Sequence, residues 1–217
     1  MPRAQFVLYD GFDPLDVIGP YEVLTAGSEL LDEALEIELV TAEGPRTVVS
    51  GTPGLSLTST GFLEPGASGY VIVPGASGPL NGETIIVQRL ASFAGSAAAP
   101  LLRQCLDNPE LTVAAACGGS LALAMAGLIQ GRTATTHGQG HDALASAGVN
   151  AVRARIVDDG DLVSSGGVTS GIDLGLYLLE REFGPRIARA VEDYFEHERR
   201  GTPWRNTGAV PAISVLP

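Results

Sequence analysis

The passage Leu111-Thr-Val-Ala-Ala-Ala-Cys-Gly-Gly-Ser-Leu-Ala-Leu-Ala-Met-Ala-Gly127 constrains the fold more than any other part of this chain. Leu111 to Ala115 has the length and content of a buried strand, and an Ala/Leu-rich helix is expected to run to about Leu128. Between them stand one cysteine and two glycines, so strand must pass to helix at a sharp corner. Such a handover is half of a βαβ unit, and the rest of the chain supplies more of them.

Gln5–Tyr9 reads as a strand and Asp10-Gly-Phe-Asp-Pro14 as turn chemistry, with Asp13 as N-cap and Pro14 as the first residue of a helix through Leu24. Gly19-Pro20 predicts a kink there, or two short pieces. Leu35–Val40 is a second strand, Thr47–Thr60 a hairpin, and Tyr70–Val73 a buried strand stopped by Pro74-Gly75. Thr84–Leu106 is helical with a Gly-Ser break. Gly131–His137 is a loop with a short strand, Ala143–Gly148 a helix and Val152–Val157 a strand. Leu162–Ser165 pairs back across the turn Asp158–Asp161. Helices run from Ser170-Gly171 to Phe183 and from Pro185 to Arg200. The alternation implies right-handed crossovers and a mostly parallel sheet covered on both faces. One domain is expected over residues 1–200, with a loose tail over 201–217.

With 217 residues, 45% of them hydrophobic, the chain can bury a full core. Its net charge of −12 repels phosphate backbones and anionic lipid, which argues against nucleic-acid and membrane partners. No apolar stretch reaches the ~18 residues of a membrane span, and the N-terminus runs into a strand without a signal-peptide pattern. Two cysteines without CxxC spacing fit a reducing cytoplasm.

Ligands bind such sheets at the carboxyl ends of the strands, where Cys117 falls. The helix beginning at Gly118 points amides and its positive dipole end at the sulfur, which favours thiolate over thiol. Gly118 and Gly119 permit the tight turn, and amides at this corner can receive negative charge developing on a substrate. A buried structural thiol is the competing reading. Cys105, inside a helix and away from any glycine corner, reads as structural. Asp16 follows the first strand and reaches the same edge, where a carboxyl can exchange a proton with the sulfur; first-turn helix stabilisation is its alternative. Of the three histidines, His197 sits in a charged run and reads as solvated. His137 and His141 have a spacing of four, but the glycines between them and the lack of a third ligand argue against a metal.

Taken together, Leu15-Asp16-Val-Ile-Gly19-Pro20, Val73-Pro74-Gly75, Ala116-Cys117-Gly118-Gly119, the run Ala124 to His137 and Ser165-Gly166-Gly167-Val-Thr169-Ser-Gly171-Ile-Asp173-Leu resemble the DJ-1/PfpI superfamily over residues 4–195. That resemblance implies a flavodoxin-like three-layer α/β sandwich, shared with class I glutamine amidotransferases, with Cys117 on a nucleophile elbow. The Leu-Asp-x-x-Gly-Pro and Ala-Thr-Thr-His strings resemble the isonitrile hydratase branch and the sensor domains of AraC-type regulators. In the regulators a DNA-binding domain follows this one, and here the chain ends at Pro217.

The resemblance further implies Cys117 as nucleophile, Asp16 as its acidic partner, and an oxyanion site from the amides of Gly75 and Gly118 beside Gly119. His137 would approach the elbow. Pocket walls would come from the loops Gly75–Asn81 and Thr136–His141. The protein would need no cofactor, act on a small molecule, and form a homodimer. This chain has Gly118 where the hydratase pattern has a hydroxyl residue, and Gly138 where an aromatic follows the histidine. No histidine follows Cys117 directly, which counts against a Cys-His peptidase dyad. Isonitrile hydration is the activity the resemblance favours. A glyoxalase- or deglycase-like reaction, redox sensing through a Cys117 sulfinate, and a binding domain without chemistry stay open.

Overall fold

The protein is described here by a computed structural model covering residues 1–79, 81 and 83–209, the side chain of residue 83 excepted. Leu80 of the expected pocket loop and residues 210–217 of the expected tail lie outside the described residues. The chain runs β1 (Arg3–Val7), α1 (Pro14–Glu29), β2 (Glu36–Thr41), β3 (Arg46–Val49), β4 (Ser56–Ser59), β5 (Gly61–Phe62) and β6 (Gly69–Val73). It continues with α2 (Glu83–Ala94), α3 (Ala98–Asp107), β7 (Leu111–Ala115), α4 (Gly119–Met125), β8 (Thr133–Ala134), α5 (His141–Ser146) and β9 (Asn150–Ala151). The last elements are β10 (Ile156–Asp158), β11 (Leu162–Ser165), α6 (Ser170–Phe183), α7 (Pro185–Phe195) and β12 (Trp204–Arg205).

One eight-stranded sheet has the order β12-β10-β11-β7-β6-β1-β2-β5. All its neighbours pair in parallel except β10 with β11, whose hairpin sets Ile156 against Ser165. The run β2-β1-β6-β7-β11 is a flavodoxin-like order, and it reverses direction between β1 and β6. Helices α1, α6 and α7 pack together on one side of the sheet, and α2, α3, α4 and α5 on the other. Consequently β1, β6 and β7 are buried on nearly every residue, and Tyr70–Val73 of β6 reads as a continuous apolar run while β1 buries the polar Gln5 among its apolar residues. The hairpin β3–β4 and the parallel pair β8–β9 lie outside this sheet.

Four local expectations change. Helix α1 runs unbroken through Gly19-Pro20. Proline removes one amide from the ladder, yet here the pair forms a close-packing face: a Cβ on Gly171 of α6 would meet the Pro20 ring at 3.0 Å, and one on Gly19 would meet Ile172 at 3.1 Å. Tertiary packing outweighs the lost bond. The expected strand Val152–Val157 splits, because its backbone changes partner. Asn150 and Val152 donate to Arg132 and Ala134 beside β8, while Arg155 accepts from Gly166 beside β11. Helix α7 stops at Phe195 and not at Arg200, since Glu196 takes a left-handed conformation with φ 50° and reverses the chain. The stretch expected to be loose from Gly201 places Trp204–Arg205 in the sheet edge, where Arg205 donates to the Tyr177 hydroxyl at 2.8 Å.

Among the described residues, no single helix is long and apolar enough to cross a membrane.

Candidate active site

Three strand ends meet where the sheet order reverses. After β1, Asp13 caps α1 by accepting the Leu15 amide at 2.9 Å, and Pro14 follows at the first helical position. With the cap supplied, Asp16 is free to turn inward. It is 0% exposed, and its Oδ2 accepts the Gly75 amide at 2.9 Å just beyond β6. Its Oδ1 is buried with no hydrogen-bond partner. Gly75 has to be glycine, because a Cβ there would sit 2.6 Å from the Gly118 nitrogen and 2.8 Å from Asp16 Oδ2.

After β7 comes Cys117, a non-glycine residue at φ 53°. Its amide is shared between the carbonyls of Ser165, at 3.1 Å, and Gly166, at 3.2 Å, which anchors the corner to the end of β11. The Gly118 amide has no backbone acceptor among the described residues and lies against the sulfur, lowering its proton affinity. The Gly119 amide is used by the turn, donating to Ala116 at 2.8 Å, and the absence of a Cβ lets α4 start directly against the Val73 carbonyl.

The oxyanion expectation therefore narrows. Asp16 occupies the Gly75 amide, Ala116 occupies that of Gly119, and Gly118 remains. One further amide near the corner is unused, from a residue the sequence did not single out. In the bridge between Phe12 and Ala76, Asp13 donates to Gly75 and Ser77 to Gly11, so the Ala76 amide is left without a backbone acceptor among the described residues. Ala76 lines the pocket above Cys117.

The electrostatics also differ from expectation. Burial pushes the Cys117 thiol well above its ordinary value, and the neighbouring Asp16 charge pushes the same way. The Gly118 amide opposes both without prevailing, because one turn-end amide offsets less than near-complete loss of solvent costs. Burial likewise holds Asp16 well above the usual carboxylate range; the Asp13 charge adds to this, and the Gly75 amide opposes it. Burial thus shifts both groups toward their neutral forms, against the thiolate that a helix start behind the sulfur implies.

A pocket of ≈ 400 Å³ opens over Cys117, with Asp16 buried behind it and outside the lining. Its polar rim includes Asp13, Thr136 and His137, while Ile86, Leu90 and Leu121 make much of its apolar wall. Both anticipated loops contribute, but the wall from α2 does not follow from any motif.

A model of the DJ-1/PfpI family matches residues 2–181. The chain belongs to the DJ-1/PfpI family. It is 33% identical over 193 residues to isonitrile hydratase of Pseudomonas putida, an alignment covering 88% of this chain and 77% of that protein. It is also 29% identical over 194 residues to the HTH-type transcriptional regulator CdhR of Pseudomonas aeruginosa, covering 88% of this chain but only 53% of the regulator. Among solved structures, a ThiJ/PfpI family protein from Pseudomonas syringae superposes with a TM-score of 0.76 at 23% identity, covering 92% of this chain and 76% of that one.

In this DJ-1/PfpI chain the three histidines separate. His137 faces the pocket, its Nδ1 accepting the Gln139 amide at 3.3 Å, and Gly167 leaves room for its ring. His141 is buried instead, with Nε2 3.4 Å from Thr135 Oγ1, and burial lowers its proton affinity. His197 is not a solvated surface group: the reversal at Glu196 brings its Nε2 to 2.7 Å from the buried Asp173. Cys105 is fully buried in α3, where burial pushes its thiol up to about 12. Asp13, which the sequence suggests only as a cap, also lines the pocket, and burial raises its proton affinity while His137 opposes.

Proposed function

We propose that this DJ-1/PfpI protein is a cofactor-independent enzyme that hydrates isonitriles to N-substituted formamides through Cys117. The observation that carries this reading is the Asp16 carboxyl. It is fully buried, held by one amide on Oδ2, left open on Oδ1, and raised in proton affinity by burial beside the sulfur. A carboxyl of raised proton affinity next to a nucleophile suits a carbon that must gain a proton as it is attacked. The apolar wall from Ile86, Leu90 and Leu121 suits an uncharged N-substituent.

In the first step the sulfur bonds to the terminal isonitrile carbon, and Asp16 gives that carbon its proton. The thiol proton passes to Asp16, so the acid is restored and a thioimidate remains. Water then adds to the thioimidate carbon, losing one proton as the nitrogen gains one, with Asp16 as relay. The C–S bond breaks, the thiol is regenerated and the formamide leaves. The free amides of Gly118 and Ala76 are available to the oxygen as charge builds on it. Splitting the hydration into two additions is the gain of covalent catalysis. Attack on an aldehyde carbon is the near variant.

The kinship to isonitrile hydratase supports this reading. Oxidative sensing at Cys117 is the weaker alternative, since oxidation follows thiolate character and exposure, and burial raises this thiol's proton affinity and leaves it 6% exposed. The test is incubation with n-pentyl isonitrile and chromatography of N-pentylformamide. Wild type is expected to form it and Cys117→Ala to form none. Equal formation by both proteins, or none by either, overturns the proposal.

A further inference from the structure

A cysteine at φ 53° lies in the left-handed region that L-residues seldom adopt, and persists there only where its surroundings hold it. The amide side of the corner is held by Ser165 and Gly166. On the carbonyl side, two hydroxyls approach the Cys117 oxygen: Thr136 Oγ1 at 2.9 Å and Ser120 Oγ at 3.4 Å. A hydroxyl has one proton to donate. Ser120 directs its proton to the Thr135 carbonyl at 2.6 Å, so its longer approach to Cys117 is a weak one. Thr136 is the effective donor. It is 1% exposed, lines the pocket and immediately precedes His137.

From this geometry we infer that Thr136 is a positioning residue, whose hydroxyl locks the Cys117 carbonyl and so sets the sulfur against Asp16. The loop that carries His137 is thereby tied to the nucleophile through one hydrogen bond, and a substrate that presses on this loop is felt at the elbow. Thr136 touches no reacting atom in this arrangement. The inference rests on Cys117 being the working nucleophile, as in the function proposed above.

The test compares Thr136→Val, which keeps the shape and loses the hydroxyl, with Thr136→Ser, which keeps the hydroxyl. Two readouts are taken on the full chain: n-pentyl isonitrile turnover, and the pH profile of Cys117 alkylation by iodoacetamide. In Thr136→Val, kcat is expected to fall about tenfold with KM little changed, the scale of one buried hydrogen bond. The alkylation midpoint should move down toward that of an ordinary thiol as the sulfur leaves Asp16. Thr136→Ser should restore both. If Thr136→Val fails to fold, Thr136→Ala carries the same comparison, its smaller side chain imposing no clash. An unchanged kcat and an unchanged profile in the hydroxyl-free variant overturn the inference, as does a Thr136→Ser protein that falls as far as Thr136→Val. If wild type turns over no isonitrile, the proposed function fails and the alkylation profile alone decides the role of Thr136.

Discussion

Two aspartates of this protein lie almost wholly out of solvent on helices that pack together, and they are opposites. Asp173, in the first turn of α6, is 2% exposed and has both oxygens occupied: Arg155 donates to Oδ2, and His197 Nε2 lies 2.7 Å from Oδ1. Asp16, in the first turn of α1, is 0% exposed with a single amide partner and one bare oxygen. Burial alone thus says little about what a carboxyl does. Where donors satisfy it, as at Asp173, the group is a structural tie between α6, the start of β10 and the chain after α7. Where they are withheld, as at Asp16, burial raises the group's proton affinity and leaves one oxygen bare.

Activity should separate the two most widely. Asp16→Asn keeps the acceptor for the Gly75 amide but removes the proton relay, so formamide production is expected to fall about 100-fold or more. Asp173→Asn should change it by no more than a few-fold. Comparable losses in both variants, measured as kcat/KM, would break the contrast.

Stability should separate them the other way. Asp173→Ala leaves Arg155 without its buried partner and is expected to cost about 3 kcal/mol in urea unfolding. Asp16→Asn should instead stabilise the protein near neutral pH. Because the folded-state proton affinity of Asp16 is raised, the folded chain holds a proton that the unfolded chain releases above about pH 4. Stability therefore falls as pH climbs from that value toward the folded-state midpoint, and is unaffected by this group below it. A stability gap between Asp16→Asn and wild type that is absent at pH 3.5 and opens toward pH 7 supports this account. A gap independent of pH refutes it.

The smallest expected effect belongs to His197. His197→Ala removes one bond from Asp173 while Arg155 remains, so about 1 kcal/mol of stability should be lost and activity retained. A loss as large as that from Asp173→Ala would show that the histidine, and not the arginine, holds the tie.

Much of this was legible from local signals. The corner at Cys117 followed from an apolar run meeting an Ala/Leu run across two glycines, and the cap at Asp13-Pro14 from turn chemistry. The hairpin Leu162–Ser165 followed from the acidic turn before it. Motifs that imply local conformation were read correctly because the conformation depends on neighbours in sequence. Pro20 misled for the converse reason: its usual effect on a helix was overridden by α6, more than 140 residues later in the chain. The strand expected at Val152–Val157 was divided by a change of partner invisible in its own residues. His197 looked solvated beside its charged neighbours, and only the reversal at Glu196 carried it to Asp173.

The sequence by itself determined the alternation of strand and helix, the sharp turn at Cys117 and the presence of Asp16 at the same sheet edge. These depend on periodicity, capping and glycine, which act over a few residues. Only the tertiary structure decided which way the proton affinities at the site shift and which of its amides are already occupied. The helix start behind Cys117 implied a thiolate, but proton affinity is set by everything within several ångströms, and here burial and a second carboxyl outweigh one helix end. Gly75 supplied an amide as expected, yet Asp16 occupies it, leaving Gly118 and Ala76 free. Thr136, an unremarkable residue in a loop, came to hold the Cys117 carbonyl because the fold brings residues nineteen positions apart to within one hydrogen bond.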